Sequence, residues 1–352
     1  MEQIIELLKT RDRFVIAGHT GPDGDTIGSC LGLAMALDKL GKEAVVVLET
    51  TAAKYRIIPG RKFLYHDALD GLIVDVFIAL DCADTERLGA AKSLFERAKT
   101  TICIDHHETN NGFAEYNFID PAASSTAEMV FGVIEALTDI DADIATAIYS
   151  GIVGDTGGFR YSSTGRSTME TAARLMETGI PFTDIYSEML LRHSFEAAKV
   201  FGLALGAANQ AMDGRIVYTC VTREMLASVG ADSSDLDTLA EYLMNTRGAD
   251  VALFLYERHT KDEAAPEVIS AGEPCAAGDS ETASDAAPPV VPRKIKVSMR
   301  SRGLHVGRIA ASLGGGGHRM AAGCTVVGTV DEILQLMLEL LERELLEYSG
   351  SC

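Results

Sequence analysis

Four short clusters of acids and histidines carry the side chains most able to do chemistry. GHTGPDGDT holds His19, Asp23 and Asp25, and ALDCAD holds Asp81. IDHHE holds Asp105, His106 and His107, and GIVGDTGG holds Asp155. Carboxylates and imidazoles bind divalent cations and move protons. Each cluster also has a plain structural reading. PDGD makes a good turn, an Asp at a strand end often caps the next helix, and neighbouring histidines can simply face solvent. Their common placement weighs more: three follow or end apolar runs, and the fourth follows a helical pattern.

The elements around them explain why that placement matters. RFVIAG (13–18), EAVVVLE (43–49), LIVDVFIALD (72–81) and TTICIDH (100–106) are rich in β-branched residues and apolar on both faces. Such runs read as buried parallel strands. Helical patterns alternate with them, which predicts an α/β fold with helices on both faces of a parallel sheet. Ligands of such sheets bind outside the carboxyl ends of the strands. The four clusters are therefore expected in one crevice. Six or seven carboxylates and imidazoles would repel or go unsatisfied there unless cations joined them. Oxygen and imidazole donors without thiolate suit Mn²⁺, Mg²⁺ or Fe²⁺ better than a structural zinc. Six candidate ligands exceed the needs of one tetrahedral ion and suit two. Two ions roughly 3.5–4 Å apart can clamp the attacking and leaving oxygens of a phosphoryl displacement.

Helical patterns continue at 124–137, 141–153, 166–178 and 182–208. A second alternation follows, with strands at 215–221, 251–258, 294–300 and 322–327, and helices near 235–245, from 305 and over 331–347. The expected organisation is a catalytic domain over 1–185, a helical connector over 186–210 and a smaller α/β domain over 211–350. Within the last, 260–292 carries five of the nine prolines, seven acids and one lysine. Such a composition predicts a disordered insertion.

Composition excludes several classes. With 352 residues, 47% apolar and 23% charged, the chain is an ordinary globular one of about two domains. No run reaches the roughly 18 apolar residues of a membrane helix. The start, MEQIIELLKTRDR, is not a signal peptide, so a cytoplasmic protein is expected. Seven scattered cysteines form no CxxC pair, which argues against a disulfide framework or a structural zinc site. Cys82 and Cys103 read as small core residues. The net charge of −20 disfavours long nucleic acid, and an aromatic fraction of 6% without Trp offers little stacking for an extended single strand. Residues 286–330 reverse this locally. They contain no acid but hold Arg293, Lys294, Lys296, Arg300, Arg302, Arg308 and Arg319 beside Gly314 to Gly317. Backbone amides of such glycines can approach a small anion closely.

His19, Asp23 and Asp25, then Asp81, then Asp105-His106-His107, then Asp155 resemble the motif set of the DHH phosphoesterase superfamily. GGGGHRMAAG (314–323) resembles the glycine-rich motif of the DHH-associated domain. The resemblance spans almost the whole chain except 260–292, and most resembles the nanoRNase/pAp-phosphatase branch. It implies that His19, Asp23 and Asp81 hold one ion. Asp25, Asp81, His106 and Asp155 would hold the other, with Asp81 bridging. Asp105 would orient a metal-bound imidazole, and His107 would face the substrate phosphate. Arg300, Ser301, Gly315, Gly316, Gly317 and His318 would grip the terminal nucleotide or phosphate across a cleft. The implied activity is hydrolysis of short oligonucleotides from the 3′ end and removal of the 3′-phosphate of adenosine 3′,5′-bisphosphate by a homodimer. The alternatives are a cyclic or linear dinucleotide phosphodiesterase, an inorganic pyrophosphatase, and a non-catalytic nucleotide sensor.

Overall fold

Apolar runs of five or six residues become strands, and the longer patterns between them become helices. A computed structural model describes residues 1–236, 238–258 and 293–349. The chain divides into two compact units, Met1–Arg192 and His193–Cys352.

In the first unit, α1 (Glu2–Thr10) buries Ile4 and Leu8. Strands β1 (Arg13–Ala17), β2 (Glu43–Val47), β3 (Val76–Leu80), β4 (Thr100–Asp105) and β5 (Tyr116–Ile119) pair in parallel, in the order β2-β1-β3-β4-β5. Helices α2 (Gly24–Lys39), α3 (Lys92–Glu96), α4 (Thr126–Glu135), α5 (Ala142–Asp155), α6 (Arg166–Glu177) and α7 (Phe182–Tyr186) complete it. One sheet face packs Ile16, Ile78 and Ile104 against α2, α4 and α5 in the larger core. The other packs Val15, Phe77 and Cys103 against Leu88 and Leu94. Both faces are covered, which is why β3 is buried along its whole length. From β1 the chain turns through α2 to β2 on one side, and then returns to β3 on the other. That reversal opens a crevice at the carboxyl ends of β1 and β3.

The second unit contains α8 (Phe195–Gly206), β6 (Asn209–Ala211), β7 (Ile216–Val221), α9 (Arg223–Val229), α10 (Leu239–Met244), β8 (Val251–Glu257), β9 (Arg293–Ser301), α11 (Val306–Ser312), β10 (Gly316–Gly317), β11 (Ala321–Gly328) and α12 (Val330–Ser349). Its mixed sheet runs β10-β11-β9-β8-β7-β6, with only β7 and β8 parallel. Ile295, Val297 and Met299 of β9 face one core with α11 and α12. Phe254 of β8 faces another with α8 and α10.

Three differences from the sequence reading have physical causes. The pattern over 182–208 is not one helix. α7 passes into a single π-helical turn, Ser187–Leu191, and Arg192 is extended. Ser194 then starts α8 afresh, its hydroxyl accepting the Ala197 amide at 2.9 Å. A serine that caps competes with one that continues a helix. The edge strand β5, only four residues long and partly exposed, carried too little apolar signal to be read. The run 72–81 is strand only from Val76, and Ile73 is exposed. The insertion expected at 260–292 lies outside the described residues. Cys82 and Cys103 are buried and free, as core residues should be. None of the described helices is long and apolar enough to cross a membrane.

Candidate metal centre

His19 stands two residues past β1. Gly18 between them must be bare, because a Cβ there would lie 2.1 Å from the Thr26 methyl. Asp23 caps α2, its Oδ1 accepting the amides of Asp25 at 3.0 Å and Thr26 at 3.1 Å. The turn-and-cap reading of PDGD therefore holds, yet Asp23 Oδ2 also lies 3.8 Å from His19 Nε2. One residue does both jobs with different oxygens.

Asp81 follows β3 and is almost fully buried, at 2% exposure. Its two carboxylate oxygens face different imidazoles, and Oδ1 also lies 3.7 Å from His107 Nδ1. Oδ2 lies 3.5 Å from His19 Nε2, and Oδ1 lies 3.7 Å from His106 Nε2. The hydroxyls of Thr26 and Thr126 donate to Oδ2 at 2.6 Å and to Oδ1 at 3.2 Å. Asp155, the last residue of α5, puts Oδ2 3.1 Å from His106 Nε2. Asp25, fully buried in the first turn of α2, accepts the Thr126 amide at 2.7 Å and the Ala127 amide at 2.8 Å. These are free donors at the start of α4, where a helix favours negative charge.

Asp105 is bound differently. Its Oδ1 meets His107 Nδ1 at 2.7 Å, and its Oδ2 accepts the Asn110 side-chain amide at 2.8 Å. It therefore orients His107, whereas the sequence reading had it orient an imidazole on the metal. With Nδ1 engaged, Nε2 is the His107 atom left for a ligand.

Charge follows from these contacts. Burial opposes protonation of His19, but Asp23 and Asp81 outweigh it and push its pKa up to about 10. Burial likewise opposes charge on His106, and Asp155 and Asp81 push it up to about 9. The hydrogen bond that His107 donates to Asp105 raises its pKa. Burial, with the charges of Asp81, Asp155 and Asp23, drives Asp25 well above the usual carboxylate range. Burial likewise raises Asp155, whereas burial of Asp23 is outweighed by its contact with His19, which lowers it.

Divalent cations fit this donor set. Ligand atoms of His19, Asp23 and Asp81 lie within 4.8 Å of one another, as do those of Asp25, His106 and Asp155, and those of Asp81, His106 and His107. Each group mixes carboxylate oxygen with imidazole nitrogen and includes no thiolate. That chemistry suits hard or intermediate divalent ions. Seven of the eight histidine and aspartate positions named from the four clusters thus fall in these groups, and Asp105 stands behind His107. Sequence reasoning missed Thr26, Thr126 and Asn110. Hydroxyls and amides are too common along a chain to flag without knowing what they touch.

In the second unit, the residues named for an anion grip separate. Arg300 and Ser301 are neighbours on β9 and so point to opposite faces. The Ser301 hydroxyl is buried and donates to the Leu304 carbonyl at 2.6 Å. Arg300 shares its face with Lys296 and Ser298, and these line a cavity of about 220 Å³ with Phe254 and Tyr256. The glycines have a packing reason: a Cβ on Gly315 would sit 2.3 Å from the Gly323 carbonyl, and one on Gly317 2.5 Å from that of Ala321. The amides of Gly315 and His318 already donate to Ala310 and Ala321. Gly316 and Gly317 are exposed but pair with β11, and the exposed His318 imidazole is the side chain this turn presents.

The sequence pattern of the DHH family, N-terminal domain, matches residues 13–152, and that of the DHHA1 domain matches residues 213–345. The bifunctional oligoribonuclease and PAP phosphatase NrnA of Thermus thermophilus is 31% identical over 351 residues, covering 98% of this chain and 94% of that protein. The chain belongs to the DHH family. A second DHH relative, of the same description from Bacillus subtilis, is 22% identical over 334 residues, covering 92% of each chain. Among solved structures, an exopolyphosphatase-related protein from Bacteroides fragilis matches with a TM-score of 0.82 at 26% identity, covering 97% of this DHH chain and 95% of that one. The family resemblance read from the four clusters is thereby shown, and so is the α/β architecture.

Proposed function

We propose that this DHH protein is a two-metal phosphoesterase. It trims short oligonucleotides from the 3′ end and removes the 3′-phosphate of adenosine 3′,5′-bisphosphate. Two relatives carry the names of those two activities, one of them over nearly its whole length. The observation that carries the reading is the division of donors around Asp81. One oxygen faces His19 and the other faces His106, with a separate ligand group gathered on each side.

We assign His19, Asp23 and Asp81 to one cation and Asp25, Asp81, His106 and Asp155 to the other, with Mn²⁺ as the first candidate. When bound, the ions neutralise substrate phosphate and lower the pKa of a water for attack on phosphorus. The histidines must release their protons to ligate, so the chain exchanges bound protons for cations. His107 Nε2 donates to a phosphoryl or leaving oxygen. Asp105 fixes its ring and favours its charged form. Arg300, Gly315, Gly316, Gly317 and His318 bind substrate phosphate or nucleotide, and Ser301 supports that turn through its bond to Leu304. A cytoplasmic homodimer completes the proposal.

The test is a substrate panel assayed with Mn²⁺ and with chelator: adenosine 3′,5′-bisphosphate, linear diadenylate, cyclic diadenylate, and RNAs of rising length. Turnover of the bisphosphate and of short linear RNA, lost in chelator and falling with length, is expected. Fastest cleavage of the cyclic form would make the protein a cyclic-dinucleotide phosphodiesterase. Nucleotide binding without any turnover would make it a sensor.

A further inference from the structure

We propose that Thr26 and Thr126 are positioning residues that make Asp81 a bridge, and that Thr126 fixes Asp81 against Asp25 on the side of the second ligand group. The inference rests on the metal-centre reading above. A carboxylate that bridges two cations must present one lone pair of each oxygen in a fixed direction. Left free, the Asp81 carboxylate could turn about its Cβ–Cγ bond and offer both oxygens to one side. The two hydroxyls prevent this. Thr26 Oγ1 donates to Oδ2 at 2.6 Å and Thr126 Oγ1 donates to Oδ1 at 3.2 Å, so each oxygen is pinned by one threonine. Acceptor capacity remains on each oxygen, on the sides where His19 and His106 lie 3.5 and 3.7 Å away.

Thr126 does more than its counterpart. Its backbone amide holds Asp25 Oδ2 at 2.7 Å while its side chain holds Asp81. Asp25 and Asp81 are reached from α2 and β3, and both are assigned above to the second cation. One residue at the start of α4 therefore sets the spacing between a ligand of the second group and the bridging carboxylate. Thr126 is itself fully buried, and the adjacent Ser125 caps the helix by accepting the Glu128 amide at 3.1 Å. The amide–carboxylate contact survives any side-chain change, so the hydroxyl can be tested separately. Groups that orient metal ligands typically contribute about 10–100-fold in metal affinity or activity.

Thr126→Val keeps the shape and the backbone amide but removes the hydroxyl. We expect it to bind the first Mn²⁺ as wild type does and the second at least about tenfold more weakly, with kcat reduced by a similar factor and KM little changed. Thr126→Ser should restore both. The readout besides activity is Mn²⁺ titration of the full chain by calorimetry and electron paramagnetic resonance, which counts ions and detects coupling between paired spins. Thr26→Val, which touches only the other oxygen, gives a second route should Thr126→Val fold poorly. It too should loosen one ion of the pair. Wild-type stoichiometry, affinity and spin coupling in both Val variants would overturn the proposal. Equal weakening of both ions, unrescued by serine, would reduce the threonines to general supports and overturn it as well. A wild-type chain that takes up no Mn²⁺ would overturn the metal-centre reading itself, a result distinguishable from either.

Discussion

Asp81 adopts a left-handed backbone conformation, with φ of 56°. For a residue with a Cβ this costs on the order of 1–3 kcal/mol and persists only where its surroundings hold it. Here the Asp81 amide donates to the Ile104 carbonyl at 3.1 Å, and both carboxylate oxygens are held by threonine hydroxyls. Glycine would relieve the strain but delete the carboxylate that sits between two imidazoles. Asp105 beside it has a different task, and a neutral isostere separates the two. Asp105→Asn should lower kcat by about 10–100-fold while leaving Mn²⁺ affinity nearly unchanged. Steady-state rates read beside a Mn²⁺ titration check this. A matching fall in affinity would place Asp105 on the metal after all. The ligand residues were legible in the sequence because aspartate and histidine at strand ends are chemically conspicuous. Which imidazole Asp105 touches was not legible. The answer depends on how two adjacent side chains leave the end of β4, and spacing along the chain does not encode that. The same blindness explains Arg300 and Ser301, which sequence adjacency joins and strand alternation divides.

α2 and α5 cross closely enough to bring Asp25 and Asp155 to one centre from two helices. The crossing depends on glycine: a Cβ on Gly28 would lie 2.3 Å from the Ala147 carbonyl and 2.9 Å from the Gly151 nitrogen. Neither contact is a flexible side-chain end, so the helices would have to separate. Gly28→Ala should therefore cost about 1–3 kcal/mol despite alanine's better helix propensity. It should also weaken Mn²⁺ binding by drawing Asp155 away from Asp25. A denaturant melt and a metal titration of the one variant test both consequences. A gain in stability would show that the crossing has slack. The strands of the first sheet were legible because buried parallel strands are short and uniformly apolar. The break at Arg192 was not. Periodicity continues across it, and only the hydroxyl of Ser194 signals a new start.

Across the whole molecule, a net charge of −20 coexists with a window of residues, 286–330, that carries no acid. The sheet of the second unit concentrates that reversal: Lys296 and Arg300 share one face of β9 and line a single cavity. Long polyanions meet mostly negative surface, while a small phosphorylated molecule can meet a local cluster of cations. The same sheet holds a feature with a practical consequence. Glu257 of β8 pairs with Ile295 of β9, and the Arg258 amide donates to the Lys294 carbonyl at 3.0 Å. Positions 258 and 293 are therefore held at adjacent rungs of one ladder. Closing such a gap depends only weakly on its length, at about 0.6 kcal/mol per doubling. Exchanging 259–292 for a short glycine-containing turn should raise stability by up to about 2 kcal/mol and leave turnover intact. A thermal melt beside the phosphatase assay decides it, and a collapsed melt would mean those residues brace the sheet. If the exchange succeeds, this hairpin is a splice point, where a fluorescent reporter or affinity handle can be stitched into the interior of the gene product without disturbing either terminus.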